Sequence, residues 1–590
     1  MDSYQNKVTQ YSQLFNKINK RYNSISILRL LSVFLCLFFL FYYIKKDEIL
    51  YVAFAFISFV GFLFLMRIHS KLSLKKQIVT AILKINENEI AFLKREKIPF
   101  ENGIEFNDFN HPYAYDLDIF GEHSLFQSLN RTATFIGKKT LASQLLRVHP
   151  KHIILENQEA IHELKSKMDW RQDFLALATI SNDSKSSYDS IINWISYKNN
   201  SLSKVLVLLS VALPILFFGL LTAYFITSKI ILLSYLTYVF IANMMVLGRS
   251  VKRIQSEIAK ADDVDKIIKQ YGLLVQKIEN EKFSSKKLID LQQELIFKNT
   301  AASSHLKQLS ELFSRMDTIN NFVTAIVFNG TFLFNLHVLR ALLKWKDNYS
   351  EELEKWISVI GEFEALNSFA NLAYNNTDFV FPEINSEYKI GFKNLAHPLL
   401  NPESRVGNDT SFYPESFMIL TGSNMSGKST FLRSLGVNMV LGGVGSTVCA
   451  SEANIHPLQV LVSMRLSDSL SDSESYFFAE IKRLKQIMDA LEEKPAFVLL
   501  DEILRGTNSD DKRNGTIEVV KKVIAKKAVG AIATHDIEVC LTTNEYPEIL
   551  TNQCFEVEIK NNDLHFDYKL RNGICKNKSA TFLMQKMGVI

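Results

Sequence analysis

The residues whose spacing most plainly encodes chemistry run from Gly422 to Thr430. Gly422-Ser423-Asn424-Met425-Ser426-Gly427-Lys428-Ser429-Thr430 fits the pattern GxxxxGK[ST]. Its glycines let backbone N–H groups wrap phosphate oxygens at a helix start whose partial positive charge faces them. Lys428 is placed to reach the β- and γ-phosphates of a nucleotide, and Ser429 to offer its hydroxyl to Mg²⁺. Downstream, Phe497-Val498-Leu499-Leu500 delivers two adjacent carboxylates, Asp501 and Glu502. Asp501 is expected on the metal side, and Glu502 as base or positioner of an attacking water. Alone, an apolar run ending in two acids is common; behind a glycine-rich phosphate loop it is informative. A third run, Ile532-Ala533-Thr534, ends in His535, where an imidazole can sense the γ-phosphate.

These groups need a scaffold that brings the ends of separate strands together. From about residue 385 short β-branched and apolar runs alternate with helical ones, and each ends in polar residues or Gly. Phe417–Thr421, Ala496–Asp501 and Val529–Thr534 are of this kind. The pattern is that of a parallel sheet in an α/β domain, with its site at the carboxyl ends of the strands. Upstream the texture is helical and charged. Over 249–320 the apolar spacing is heptad-like and suggests a coiled or lever-like arm.

The chain has 590 residues, enough for several domains, with 47% hydrophobic and 22% charged residues, which excludes wholesale disorder. Its five cysteines show no CxxC spacing, so a disulfide framework or a zinc site is not expected. The apolar residues are concentrated: runs over 25–44, 49–66, 205–226 and 230–247 each have the length to cross about 30 Å of hydrocarbon. They pair as two hairpins with tight links. Lys17, Lys20, Arg21, Arg67, Lys71, Arg249, Lys252 and Arg253 flank them, and this bias places both termini and the intervening segment on the cytoplasmic side. The expected layout is an N-terminal segment with a hairpin over 1–70 and a first helical part over 71–204. A second hairpin over 205–247, a helical lever or core over 248–384 and the α/β domain over 385–590 follow.

Thr421–Thr430, Asp501-Glu-Ile-Leu-Arg-Gly-Thr-Asn-Ser and Ala533-Thr-His-Asp resemble the ATPase domain of the MutS mismatch-repair family, within the ABC-type P-loop ATPases. Ser124–Lys138, Ile154–Leu164 and Glu364–Ala370 resemble the helical core and lever of that family. The resemblance implies ATP and Mg²⁺ as cofactors, an α/β ATPase domain behind an all-α core, and a homodimer with two composite ATP sites. Ser475-Tyr-Phe-Phe-Ala-Glu480 is similar to the loop that reaches the partner's nucleotide, which makes Ser475 a trans contact. The resemblance further makes His397 a candidate base contact, and Arg405 takes a place where the family often has an aromatic residue. The N-terminus carries a membrane hairpin instead of a mismatch-recognition domain, and Phe120-Gly121-Glu122 fits the family's Phe-x-Glu wedge by chance.

The function expected from the whole is a multi-pass ATPase of the inner cell membrane, its ATPase domain cytoplasmic, coupling ATP turnover to binding of double-stranded DNA. A tethered ATPase scaffold that binds no DNA is one alternative. An ABC-type transporter is another, opposed by the scarcity of polar residues in the four apolar runs.

Overall fold

The computed structural model describes residues 1–181, 183–197, 202–259, 264–465, 476–560, 563–575 and 584. Two 45-residue helices, Asp2–Lys46 and Ile49–Leu93, lie antiparallel along their length. At 1.5 Å per residue each is about 68 Å long. Asp47 reverses the chain in the left-handed conformation (φ 55°), its N–H donating to the Tyr43 carbonyl. The apolar ends of the pair are exposed, as at Phe34, Phe41, Phe56 and Phe64. The opposite ends dock on the body through Tyr4, Ala81 and Ile82. The helix Ile49–Leu93 runs unbroken past residue 70, because the charged residues after Met66 are good helix formers and the turn comes only at Arg95 (φ 57°).

A second antiparallel pair, Lys204–Thr227 and Ile231–Ala259, also shows an apolar exterior. Among the described residues four helices are thus long and apolar enough to cross a membrane. A bent pair, Ala325–Phe332 with Phe334–Asn375 at 79°, meets the same test together.

Between these pairs lies a helical body gathered on the 42-residue helix Phe334–Asn375, whose Trp356, Ile360 and Phe363 are fully enclosed. The stretch 249–320 is not one extended arm. It breaks into the end of Ile231–Ala259, then Val264–Glu279, Lys286–Gln293 and Ala302–Met316. Its apolar stripe (Ile267, Tyr271, Leu274, Ile278) closes on Leu306, Leu309 and Phe313 within the body, so the heptad-like spacing is spent on intramolecular packing.

The C-terminal part holds a six-stranded sheet. Its strands are β1 (Phe417–Gly422), β2 (Gln459–Ser463), β3 (Ala496–Asp501), β4 (Val529–Ala533), β5 (Leu550–Lys560) and β6 (Asp563–Asn572). The spatial order is β6-β5-β1-β4-β3-β2, parallel except for the β5–β6 hairpin. β1, β3 and β4 are buried on both faces, which is why they read as continuous apolar runs. Register sets Ala533 beside both Leu420 and Asp501, so three strand ends meet at one edge. A smaller four-stranded sheet, including Ile390–Leu395 and Asn408–Phe412, flanks the domain.

Candidate functional site

The loop from Gly422 to Gly427 joins β1 to the helix Lys428–Gly443. Gly427 adopts φ 105°, and a Cβ there would lie 3.2 Å from the Tyr568 ring, so the turn requires glycine on both counts. Above the loop opens a cleft of about 610 Å³. Asn424 to Thr430 form one wall, with His397 and Arg405 on another and Glu502 and Tyr568 at the rim.

The Lys428 ammonium is held over the loop by the carbonyls of Gly422 (2.9 Å) and Ser423 (3.1 Å). Burial lowers its proton affinity, while the nearby Glu502 and Asp501 oppose that shift. It lies 3.4 Å from His535 Nε2, and that nitrogen is 2.6 Å from Glu502 Oε1. The His535 bond is the main reason the Glu502 carboxyl falls to about 2. A carboxylate that weakly basic is better suited to orient a water than to keep its proton. Glu502 itself sits at φ 49°, with its N–H on the Ala533 carbonyl.

Asp501 is 6% exposed, and burial raises its pKa. The neighbouring Ser429 hydroxyl opposes that shift, and Asp501 Oδ1 is buried with no partner. A hard cation is the kind of group that such an orphaned oxygen beside a hydroxyl accommodates. Mg²⁺ keeps several waters and takes few protein donors, so Ser429 and Asp501 suffice when phosphates supply the rest. Bound there, it would neutralise charge on phosphate oxygens. The loop's Ser423 and Ser426 hydroxyls are likewise buried without partners.

On the far wall His397 is driven down to about 4 by burial and by the neighbouring Arg433. Its Nδ1 accepts the Leu399 N–H at 3.3 Å, which leaves Nε2 as the donor. Arg405 is not free to stack: its guanidinium is ion-paired with Asp378 and lies 5.2 Å from the centre of the Phe379 ring. Asn424 to Thr430, Glu502 and His397 therefore line one cleft, with Gly422 and Ser423 joined to it through Lys428, Asp501 beside Ser429 and His535 on Glu502. Ser475 lies outside the described residues.

Two contributors escape a reading of motifs. Tyr568, on β6, covers Gly427; the alternation Phe566, Tyr568, Leu570 is its only signal. Glu480 accepts the N–H groups of Leu504 (2.6 Å) and Arg505 (3.1 Å), fixing the loop that leaves Asp501-Glu502 to the helix Tyr476–Glu493. The helical body reaches the same domain through Asp116 and Asp118. Asp116 takes the N–H groups of Met464 and Arg465, while Asp118 pairs with Arg433 and Arg465.

The glycine-rich loop, the buried acid with its unpartnered oxygen and the carboxylate–imidazole pair all lie in the C-terminal domain. Residues 418–588 match the family model of MutS domain V. Human MutS protein homolog 4 is 30% identical over 238 residues, which is 38% of this chain and 25% of that protein. The DNA mismatch repair protein MutS of Methanococcoides burtonii is 34% identical over 197 residues, 32% of this chain and 22% of that protein. The DNA mismatch repair protein MSH3 of Arabidopsis thaliana is 28% identical over 268 residues, 42% of this chain and 24% of that protein. The chain thus spans about a quarter of the length of the curated relatives it matches.

Proposed function

We propose that this chain is a membrane-anchored, Mg²⁺-dependent ATPase of MutS type that couples nucleotide binding and hydrolysis to DNA. The observation that carries the reading is the convergence of Lys428, Ser429, Asp501, Glu502 and His535 at the ends of β1, β3 and β4. On ATP binding, Lys428 exchanges the loop carbonyls for the β- and γ-phosphates. Glu502, held by His535, orients the water for in-line attack, and charge on the departing phosphates is met by Lys428 and the loop amides. The match to MutS domain V supports the family of the ATPase, and the names of the relatives support DNA as the partner. Dimerisation with Ser475 contributed in trans belongs to the same proposal. So does insertion of the two apolar hairpins in the inner membrane, supported by the length and composition of four helices.

Full-length protein in detergent should hydrolyse ATP with Mg²⁺, and Lys428→Ala should reduce turnover to background. Undiminished turnover in that variant would discard the assignment. DNA coupling is tested by comparing rates with no DNA, perfect duplex and mismatched duplex at two salt concentrations, since phosphate contacts weaken steeply with salt. Rates indifferent to all DNA would leave a tethered ATPase without that partner.

A further inference from the structure

Beyond the two hairpins, the described residues hold a further apolar element, shorter than a full span. From residue 318 to 339 there is no Asp, Glu, Lys or Arg. The helix Phe322–Phe332 occupies the centre of this stretch and stops at Leu333, which takes φ 50°. The chain then turns by 79° into Phe334–Asn375.

The short helix is two-faced. Its inner face, where Asn329 and Gly330 are buried, packs on the second hairpin: Gly330 is pressed against Phe240 so closely that no Cβ would fit, and at the edge of this face the half-exposed Phe332 ring is 4.7 Å from that of Phe218. Its outer face shows Val323 (67% exposed), Val327, Phe328 and Phe332. Spacings of four, one and four spread these side chains over a stripe about half the helix circumference wide, opposite the buried Asn329 and Gly330. The stripe continues the exposed apolar exterior of Lys204–Thr227 and Ile231–Ala259, for example Leu208, Ile215, Ile241 and Met245.

The backbone at the bend is provided for internally. Asn243, fully buried on the helix Ile231–Ala259, donates from Nδ2 to the Gly330 carbonyl at 2.7 Å. Asn329 Oδ1 accepts the Asn335 N–H (2.9 Å), and Asn329 Nδ2 donates to Asn335 Oδ1 (2.8 Å). Asn335 Nδ2 donates to the Met316 carbonyl (3.1 Å), and His337 Nε2 meets the Ser210 carbonyl at 2.8 Å. Water at an exposed bend makes such a set of amide side chains unnecessary. Hydrocarbon makes it necessary, because an interrupted helix at membrane depth must find its partners inside the protein.

From the continuous apolar stripe, the charge-free stretch and the internally satisfied bend, we infer that Phe322–Phe332 is a re-entrant element seated in the lipid acyl chains beside the second hairpin. It enters from the side of the helical body and returns to it as Phe334–Asn375. The inference rests on the membrane reading of the hairpins, and its test separates the two.

Val327→Cys and, as a span reporter, Leu208→Cys are placed singly in full-length protein carrying Cys36→Ala and Cys575→Ser. Each is labelled with an environment-sensitive fluorophore and reconstituted in phosphatidylcholine vesicles with and without brominated acyl chains. Both labels should lose emission to a similar extent with brominated lipid, and Val327→Cys should resist a water-soluble thiol reagent. Quenching at Leu208 but not at Val327 overturns the re-entrant element and leaves the hairpin standing. That result with Val327 reactive means water covers the stripe; with Val327 unreactive, protein covers it. Quenching at neither position defeats the membrane reading along with the inference.

Discussion

In the proposed mechanism Glu502 and His535 act as a pair, and their coupling has a measurable consequence. The carboxyl of Glu502 is held near 2 chiefly by the His535 bond. Its folded pKa is below the unfolded value, so the associated stabilisation is present above about pH 4.5 and lost as pH falls toward 2. In His535→Ala that support is gone and the carboxyl returns toward the ordinary range. The ATPase rate of the variant should therefore fall between pH 6 and 4.5 more steeply than that of the wild type. Superimposable acid limbs in the two pH profiles would remove His535 from the role assigned to it. At this scale the sequence was most readable. Gly422 to Thr430 lie consecutively, and Asp501, Glu502 and His535 each terminate an apolar run, so type and position coincide. Tyr568 and the role of Glu480, which the sequence shows only as the end of the Ser475–Glu480 segment, were not readable, because what gives them meaning is a contact across the fold rather than a neighbour in the chain.

The helix Phe334–Asn375 does more than fill the body. Its Glu364, fully buried, accepts the N–H groups of Ala133 (2.7 Å) and Thr134 (3.2 Å) and the Thr134 hydroxyl, closing the start of the helix Phe135–Leu145. Burial raises this carboxyl to about 7, more than its hydrogen bonds can offset. Because the folded pKa lies above the unfolded one, its contribution is fully present below about pH 4.5 and disappears as pH rises through 7. Thermal midpoints of the solubilised protein should decline from about pH 5 to 7.5 and level off above, and Glu364→Gln should flatten that decline; an unchanged slope would exclude Glu364 as its source. The strands β1, β3 and β4 were legible because burial on both faces writes itself as an unbroken apolar run. The helices of 249–320 were legible as helices but not in their disposition, since a stripe at heptad-like spacing serves a neighbouring helix of the same body as well as an arm. The bend at Leu333 left no trace in composition: leucine rarely takes a left-handed conformation, and the asparagines that support it lie on separate elements.

Across the whole molecule, the N-terminal pair is fastened to the helical body by a buried ion pair between Arg131 and Glu89. Glu89 also accepts from Asn371 and Asn375, and the Arg131 guanidinium lies 3.5 Å from the centre of the Phe100 ring. Leaving one buried charge alone costs about 3–5 kcal/mol. Arg131→Met should accordingly lower the unfolding midpoint of the detergent-solubilised protein, followed by tryptophan fluorescence, and the double variant Glu89→Leu/Arg131→Met should recover part of the loss. Equal midpoints for the wild type and Arg131→Met would show that the joint carries no weight. This joint lies on the portion of Ile49–Leu93 that continues beyond the apolar run ending at Met66. That portion, residues 67–93, rises by about 40 Å at most. If the run is embedded, the helix acts as a spacer of fixed reach, holding the nucleotide domain at a set height over the headgroups. Electrostatic repulsion between a polyanion and an acidic bilayer fades over about 8 Å at physiological ionic strength. On the proposed function, a spacer several times that length would let the tethered ATPase work on a negatively charged polymer that the bilayer itself would turn away.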